Sequence, residues 1–144
     1  MMNQETGKTK DVGFQVGARK VFSVSLNTAW RYILSPEGIN HWLGTLSVYN
    51  LKPQEEYISY EGITAKIRVL KPISHLRMSW TTLDWNNKST LQIRCISSGE
   101  NTVISFHQEN LFDVQQRETM KLHWRKALEK ISRQLGANIL ITNV

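Results

Sequence analysis

The sequence predicts an α+β domain in which an antiparallel sheet wraps around one long C-terminal helix. Three observations favour this fold class: a β-rich segment at 12–26, a stretch of strands and turns at 45–111, and an amphipathic helix at 113–135. No segment of helical length separates the strands of the stretch, so they cannot form parallel pairs. An amphipathic helix is unstable alone and a single sheet has one face to bury, so each should cover the other.

Two short helices are predicted directly after the first strand. Asn27 is expected to cap a helix at 28–34, because an Asn side chain accepts hydrogen bonds from the first helical turn. Ser35 should cap the second helix, which begins with Pro36, a residue that fits the first helical position. Two short helices directly after one strand are an unusual pattern, which makes the predicted order of elements distinctive.

The segment from Thr45 to Leu111 predicts a meander of antiparallel strands. Alternating apolar and polar residues lie between short turn sequences such as Glu-Gly and Ser-Gly-Glu-Asn. The candidate strands are 46–51, 56–60, 63–70, 76–82, 89–97 and 102–110.

The last helix carries an apolar stripe whose two halves differ. Asp113 should cap its start and Gly136 should end it. Towards the C-terminus the stripe is apolar and should pack tightly, whereas its first turns are mixed and should leave room for a cavity. The stripe consists of Val114, Arg117, Met120, Trp124, Leu128, Ile131 and Leu135.

Composition restricts the compartment and the chemistry that we expect. Cys95 is the one cysteine, so an internal disulfide is excluded, and no Cys/His cluster has zinc spacing. No signal peptide is expected, and no apolar run approaches the roughly 20 residues of a membrane span. We therefore expect a cytoplasmic protein with a single domain at 12–136, a disordered arm at 1–11 and a short tail at 137–144.

The net charge of +6 admits several kinds of partner. The basic residues are scattered from Lys8 to Arg133 and form no block of like charges. Nucleic-acid binding is therefore not expected. An acidic protein partner would suit the basic balance.

Several aromatic positions occur in a recognisable order along the chain. They are Trp30 in the first short helix, Trp42 closing the second, Trp80 at the end of Met-Ser-Trp, and Trp124 followed by Leu128. In this order and spacing, residues 14–135 resemble the START/SRPBCC superfamily, and most of all homologues of the activator of the ninety-kilodalton heat-shock-protein ATPase. The resemblance implies the helix-grip fold. His123 stands where that family usually has Gly, which should alter the local packing of the helix.

The candidate ligand site lies between the sheet and the first turns of the last helix. Alternation along the strands places Leu76, Met78 and Trp80 on one face, and Phe106 and Gln108 on the inward face of a neighbouring strand. The flexible thioether of methionine suits an irregular gap, and an arginine can meet a polar headgroup at the mouth. The alternative is that these side chains simply fill the core. The predicted cavity residues are Met78, Trp80, Phe106, Arg117, Met120 and Trp124.

Motifs for catalysis are absent from the sequence. There is no Gly-x-Ser-x-Gly or Ser-x-x-Lys, and the four histidines lack metal-ligand spacing. Glu109 and Arg117 are the best acid–base candidates, and we interpret them as a rim ion pair. We expect no catalytic residue, metal or cofactor.

Three functional hypotheses follow, and fold alone does not choose between them. The first is a non-catalytic module that binds a small apolar or amphipathic ligand in an internal cavity. The second is a protein-interaction domain, since the resemblance implies a co-chaperone that activates a chaperone ATPase. The third is a cyclase- or hydrolase-type enzyme, as found elsewhere in the superfamily.

Overall fold

The computed structural model describes the backbone of residues 8–9 and 13–143 and the side chains of residues 13–135. Within these residues, one seven-stranded sheet in the order β1-β2-β7-β6-β5-β4-β3 carries two short helices and one long helix. Every neighbouring pair of strands is antiparallel. The elements are β1 (Lys8–Thr9), β2 (Gly13–Phe22), α1 (Leu26–Ile33), α2 (Pro36–Trp42), β3 (Glu56–Ile58), β4 (Ile63–Lys71), β5 (His75–Thr82), β6 (Ser89–Ser98), β7 (Asn101–Leu111) and α3 (Val114–Asn143). The predicted α+β helix-grip architecture is confirmed.

The two short helices meet at a tight corner. Ser35 caps α2 as predicted, with its Oγ accepting from the Gly38 backbone N–H at 3.1 Å. A Cβ atom added to Gly38 would lie 1.9 Å from the Tyr32 carbonyl oxygen, so only glycine allows the two helices to approach this closely. The predicted cap of α1 is wrong: Ser25 rather than Asn27 accepts from the Thr28 N–H, at 3.2 Å. Both residues are good caps, and the serine comes first along the chain.

The predicted strand at 46–51 is also wrong, because this segment is a loop. Leu46 lies in the core and Tyr49 packs against it without a strand ladder, whereas Val48 is exposed. The Tyr49 hydroxyl accepts from the Leu46 N–H at 3.1 Å and donates to Asn40 Oδ1 at 3.0 Å. Side-chain hydrogen bonds thus satisfy backbone groups that a neighbouring strand would otherwise pair.

Helix α3 begins as predicted and ends later than predicted. Asp113 Oδ1 accepts from the Gln116 N–H at 2.8 Å, which confirms the cap. The expectation that Gly136 ends the helix is wrong, since the helical backbone continues to Asn143. A glycine inside a helix costs only about 1 kcal/mol relative to alanine, and no proline follows to stop the helix. None of the described helices combines the length and apolar character needed to cross a bilayer.

Part of the predicted N-terminal arm joins the sheet. The backbone of Lys8–Thr9 forms β1, with Lys8 opposite Phe14 and Thr9 opposite Gly13. Residues 1–7 and 10–12 lie outside the described part of the chain.

The core lies between the inner face of the sheet and α3. Strand alternation turns Met78 and Phe106 inward, and both are fully buried. The C-terminal part of the helix stripe packs tightly against this face, as predicted, whereas Val114 near its start is 41% exposed. The buried residues of α3 are Met120, Trp124, Ala127, Leu128, Ile131 and Leu135.

Candidate functional site

Five of the six residues predicted to line a cavity pack against one another in the core. The rings of Phe106 and Trp124 are stacked with centroids 4.8 Å apart, and Trp80 meets Trp124 edge-on at 6.0 Å. Met78 and Met120 belong to the same buried cluster. All five side chains belong to the buried core between sheet and helix.

A chain of hydrogen bonds fixes this aromatic cluster. The Trp124 Nε1–H donates to Gln108 Oε1 at 2.8 Å, and Gln108 Nε2 donates to Ser89 Oγ at 2.8 Å. Ser89 Oγ donates in turn to the Trp80 carbonyl at 2.7 Å, while the Trp80 Nε1–H donates to the Trp42 carbonyl at 2.8 Å. Every link is buried, so each bond satisfies a group that would otherwise be destabilising.

Arg117, the sixth predicted residue, faces a different part of the interior. Its Cζ lies 5.9 Å from the centroid of the Phe14 ring on β2, and its Nε donates to Glu118 Oε2 at 3.1 Å. The Nη1 atom is buried without a hydrogen-bond partner. The predicted pairing of Arg117 with Glu109 is not formed. Arg117 pairs with Glu118, and the Glu109 carboxylate lies 3.5 Å from His107 Nδ1.

An open groove of about 570 Å³ lies between the β5–β6 turn and the start of α3. Its apolar wall is formed by the half-buried Trp85 and by Phe112, whose side chain is 71% exposed. Its polar wall consists of amides, a hydroxyl and two carboxylates, and no basic side chain lines it. The lining residues are Asp84, Trp85, Asn86, Asn87, Phe112, Asp113, Gln115, Gln116 and Thr119.

A pair of amide side chains holds the two walls of the groove together. Asn87 Nδ2 donates to Gln116 Oε1 at 3.1 Å, and Gln116 Nε2 donates to Asn87 Oδ1 at 2.9 Å. Asn87 Nδ2 also contacts the Asn110 carbonyl at 3.2 Å, and Gln116 Oε1 accepts from the Phe112 N–H at 2.9 Å. The β5–β6 turn is therefore tied to both β7 and α3, which preforms the groove.

The groove lies next to the predicted cavity residues, and Trp85 is the aromatic residue between them. Trp85 lines the groove and meets Trp80 edge-on, with centroids 5.3 Å apart. Thr119 lines the groove on α3, and the next residue, Met120, is buried behind it. The residues predicted to line a cavity thus lie in the buried layer next to the groove. The polar turn residues that line the groove carry no apolar pattern and were not predicted.

A second, smaller cleft of about 140 Å³ separates α2 from α3 and explains the surroundings of His123. The His123 ring lies edge-on to Trp124 at 4.5 Å, and its Nε2 is buried without a hydrogen-bond partner. Burial lowers the pKa of His123, and it also lowers the pKa of His41 across the cleft, with the charge of Lys130 adding to both effects. His41 Nε2 is 2.8 Å from the Tyr32 hydroxyl. His123 therefore acts as a partly buried packing residue between the two helices.

The described residues offer little for nucleophilic or metal chemistry. Burial raises the pKa of the Cys95 thiol to about 12, so the reactive thiolate is not formed near neutral pH. Among the described side chains, no three His, Cys, Asp or Glu residues are grouped so that they could hold a metal ion.

Solved structures with the same architecture share little sequence with this chain. DynU16, a putative protein in the dynemicin biosynthetic locus, superposes with a TM-score of 0.76 at 14% identity over 86% of this chain. This chain spans about half (48%) of DynU16. CalU16 from Micromonospora echinospora superposes with a TM-score of 0.73 at 16% identity, over 88% of this chain and 78% of CalU16.

An HSP90 activator from Plasmodium falciparum superposes with a TM-score of 0.72 at 17% identity, over 85% of this chain and 96% of that one. At such identities the likeness concerns the fold. No curated protein sequence matches the chain. Residues 23–136 match the family model described as Activator of Hsp90 ATPase homolog 1-like protein. Since this match covers most of the sequence, the chain belongs to the family of Activator of Hsp90 ATPase homolog 1-like proteins, within the SRPBCC superfamily.

Proposed function

We propose that this domain is a non-catalytic binding module that takes up a small apolar or amphipathic ligand in the groove between the β5–β6 turn and α3. The observation that carries the proposal is the groove itself, with its volume of about 570 Å³. Pockets for small molecules span roughly 300–1,000 Å³ and combine apolar walls with a few placed polar groups. The proposal places the protein in the cytoplasm, since a buried, unpaired Cys95 fits a reducing compartment.

The apolar part of the ligand would lie against Trp85 and Phe112. A ligand that covers an exposed aromatic ring such as that of Phe112 removes apolar surface from water, which stabilises the complex. Behind Trp85, the predicted residues Trp80 and Trp124 form a packed support, so Trp85 keeps its position when a ligand presses on it. In this proposal the packed core behind the site keeps it rigid, through Met78, Phe106 and Met120. Arg117 does not contribute to the site.

The polar part of the ligand would be uncharged or cationic. Asp84 and Asp113 both line the groove, and no Lys or Arg does. A carboxylate ligand would meet like charges there, whereas hydroxyl, amide or ammonium groups would find acceptors in these side chains and in Gln115 and Asn86. The proposed ligand class is therefore a neutral or cationic amphiphile rather than a fatty acid.

A fluorescence titration tests this assignment. The probe is N-phenyl-1-naphthylamine, an uncharged apolar molecule whose emission rises when it leaves water. Thr119→Trp places a large side chain in the groove from an exposed helix position and should weaken binding about tenfold or more, equal to ~1.4 kcal/mol. The matched control is Arg125→Trp, which adds the same side chain at an exposed position of α3 outside the groove.

The control should bind the probe like the wild type. The proposal fails if the two variants weaken binding equally, or if the wild type binds the anionic analogue 8-anilinonaphthalene-1-sulfonate more tightly than the uncharged probe.

A further inference from the structure

The outer face of the sheet, which points away from α3, carries a row of basic side chains. Ser105 on β7 lies opposite Arg19 on β2 and opposite Arg94 on β6. His75 on β5 lies opposite Arg94 and opposite Lys71 on β4. Because neighbouring strands are about 4.8 Å apart, this row crosses five strands over about 19 Å.

A second row beside the first adds another cation. Arg77 on β5 lies opposite Gln92 on β6, which lies opposite His107 on β7. Neither row contains an Asp or Glu. Among the side chains that the structure describes, no carboxylate lies within ion-pair distance of Arg19, Arg77 or Arg94. These rows together form the basic band, defined by Arg19, Lys71, His75, Arg77 and Arg94.

The cations of the basic band lie close enough to influence one another. Burial lowers the pKa of His75, and the positive charges of Arg94, Lys71 and Arg77 lower it further. Glu109 lies at the edge of this face, 3.5 Å from His107, but no carboxylate is paired with the three arginines. Like charges held on a rigid sheet in this way produce a positive potential that an anionic partner would relieve.

An apolar row, exposed at its two outer positions, runs along one side of the basic band. Val21 on β2 and Ile96 on β6 lie on either side of Val103 on β7, in register. The side chains of Val21 and Ile96 are 55% and 39% exposed. The outer face therefore offers aliphatic contacts directly next to positive charge.

We infer that this outer face is a docking surface for an acidic protein segment that carries aliphatic residues among its carboxylates. Its carboxylates would pair with Arg19, Arg94 and Arg77, and its aliphatic side chains would cover Val21 and Ile96. The surface lies on the opposite side of the sheet from the groove, so this inference is independent of the proposed ligand site.

The chemistry of this face favours a protein segment over other polyanions. Single-stranded nucleic acids are bound by basic grooves with aromatic rings on which bases stack, and the two basic rows and the apolar row hold no Phe, Tyr or Trp. Membrane-binding faces rely on Trp, Phe and Leu, whereas the exposed apolar side chains here are the β-branched Val21 and Ile96. Guanidinium groups pair with carboxylates in a bidentate manner, so Arg19 and Arg94 suit the carboxylates of an acidic segment.

Fluorescence anisotropy with a synthetic peptide tests the inference. The probe is a labelled peptide of alternating Glu and Val residues, and the wild type should bind it with a dissociation constant on the order of 0.1 mM or tighter at low salt. Arg94→Glu reverses the charge at the centre of the basic band and should weaken binding about tenfold. Arg125→Glu changes the net charge equally at an exposed position on α3 and should leave the affinity within about twofold.

Further comparisons separate the apolar row and the rival polyanions. Ile96→Ser should weaken the binding of the Glu-Val peptide and leave the binding of a Glu-Gly peptide unchanged. This difference would assign the aliphatic contact to Ile96. The inference is overturned if the Glu-Val peptide does not bind, or if Arg125→Glu weakens binding as much as Arg94→Glu does. It is also overturned if an oligouridine RNA or phosphatidylserine vesicles bind the basic band more tightly than the peptide.

Discussion

Trp124 combines two kinds of contact that position it in the core. Its ring stacks on Phe106 at 4.8 Å, and its indole N–H donates to Gln108 at 2.8 Å. The stacking contact follows from the helical stripe and the strand alternation, so the sequence predicts a buried tryptophan here. The link from Gln108 to Ser89 depends on the register of β6 against β7, which no local pattern reveals.

We expect Trp124→Phe to destabilise the domain by about 1–3 kcal/mol even though an aromatic ring is kept. The variant leaves Gln108 Oε1 buried without its donor, and an unsatisfied buried acceptor carries that penalty. Urea denaturation gives the free energy of unfolding. In a Gln108→Leu background the same Trp124→Phe change should be less destabilising, because the acceptor is already gone. Equal losses in both backgrounds would show that the hydrogen bond contributes nothing.

At the scale of elements, most strands and both short helices were predictable because their patterns are local. The apolar residues of the loop at 46–51 partly alternate as those of a strand do, so the local pattern predicts a strand. The tertiary contact of Tyr49 with Asn40, through which Tyr49 is held in the loop, cannot be predicted from that pattern. Glycine commonly ends a helix, but α3 continues past Gly136 because no residue after it strongly disfavours a helix. The first error arises where local propensity and tertiary context disagree, and the second because a single glycine is a weak stop signal.

The packing of α2 against α3 predicts a stability that falls in mild acid. His41 and His123 have pKa values below the usual 6.5, chiefly through burial. Below about pH 6.5 the unfolded chain therefore binds more protons than the folded one. The stability that these groups support is fully present above that pH, and it decreases as the pH falls towards their folded-state pKa values.

Denaturation midpoints measured between about pH 8 and pH 5 check this expectation. In His123→Gln the decrease in stability should be shallower, since one of the histidines with a lowered pKa is gone. Lys126→Gln changes a neighbouring residue of the same cleft and should keep the wild-type slope. If stability decreases as steeply in His123→Gln as in the wild type, the protonation of His123 does not contribute to the decrease.

At the scale of the whole molecule, the two faces of the sheet have different roles in this account. The inner face packs on α3 and ends at the groove beside Trp85, whereas the outer face presents the basic band. The sequence predicted the inner face because burial leaves a periodic apolar pattern. The groove and the basic band arise from turns and from cross-strand neighbours that are distant in sequence, so they could not be predicted from it.

The most direct test of the central claim, that the groove binds a ligand, is an NMR titration of the ¹⁵N-labelled protein with uncharged N-phenyl-1-naphthylamine. We expect saturable shifts of the backbone amides of 84–87 and 112–119, with the indole N–H signal of Trp85 among the most affected. Shifts that are absent up to the solubility limit of the probe, or that spread over the outer face around Arg94, would contradict it.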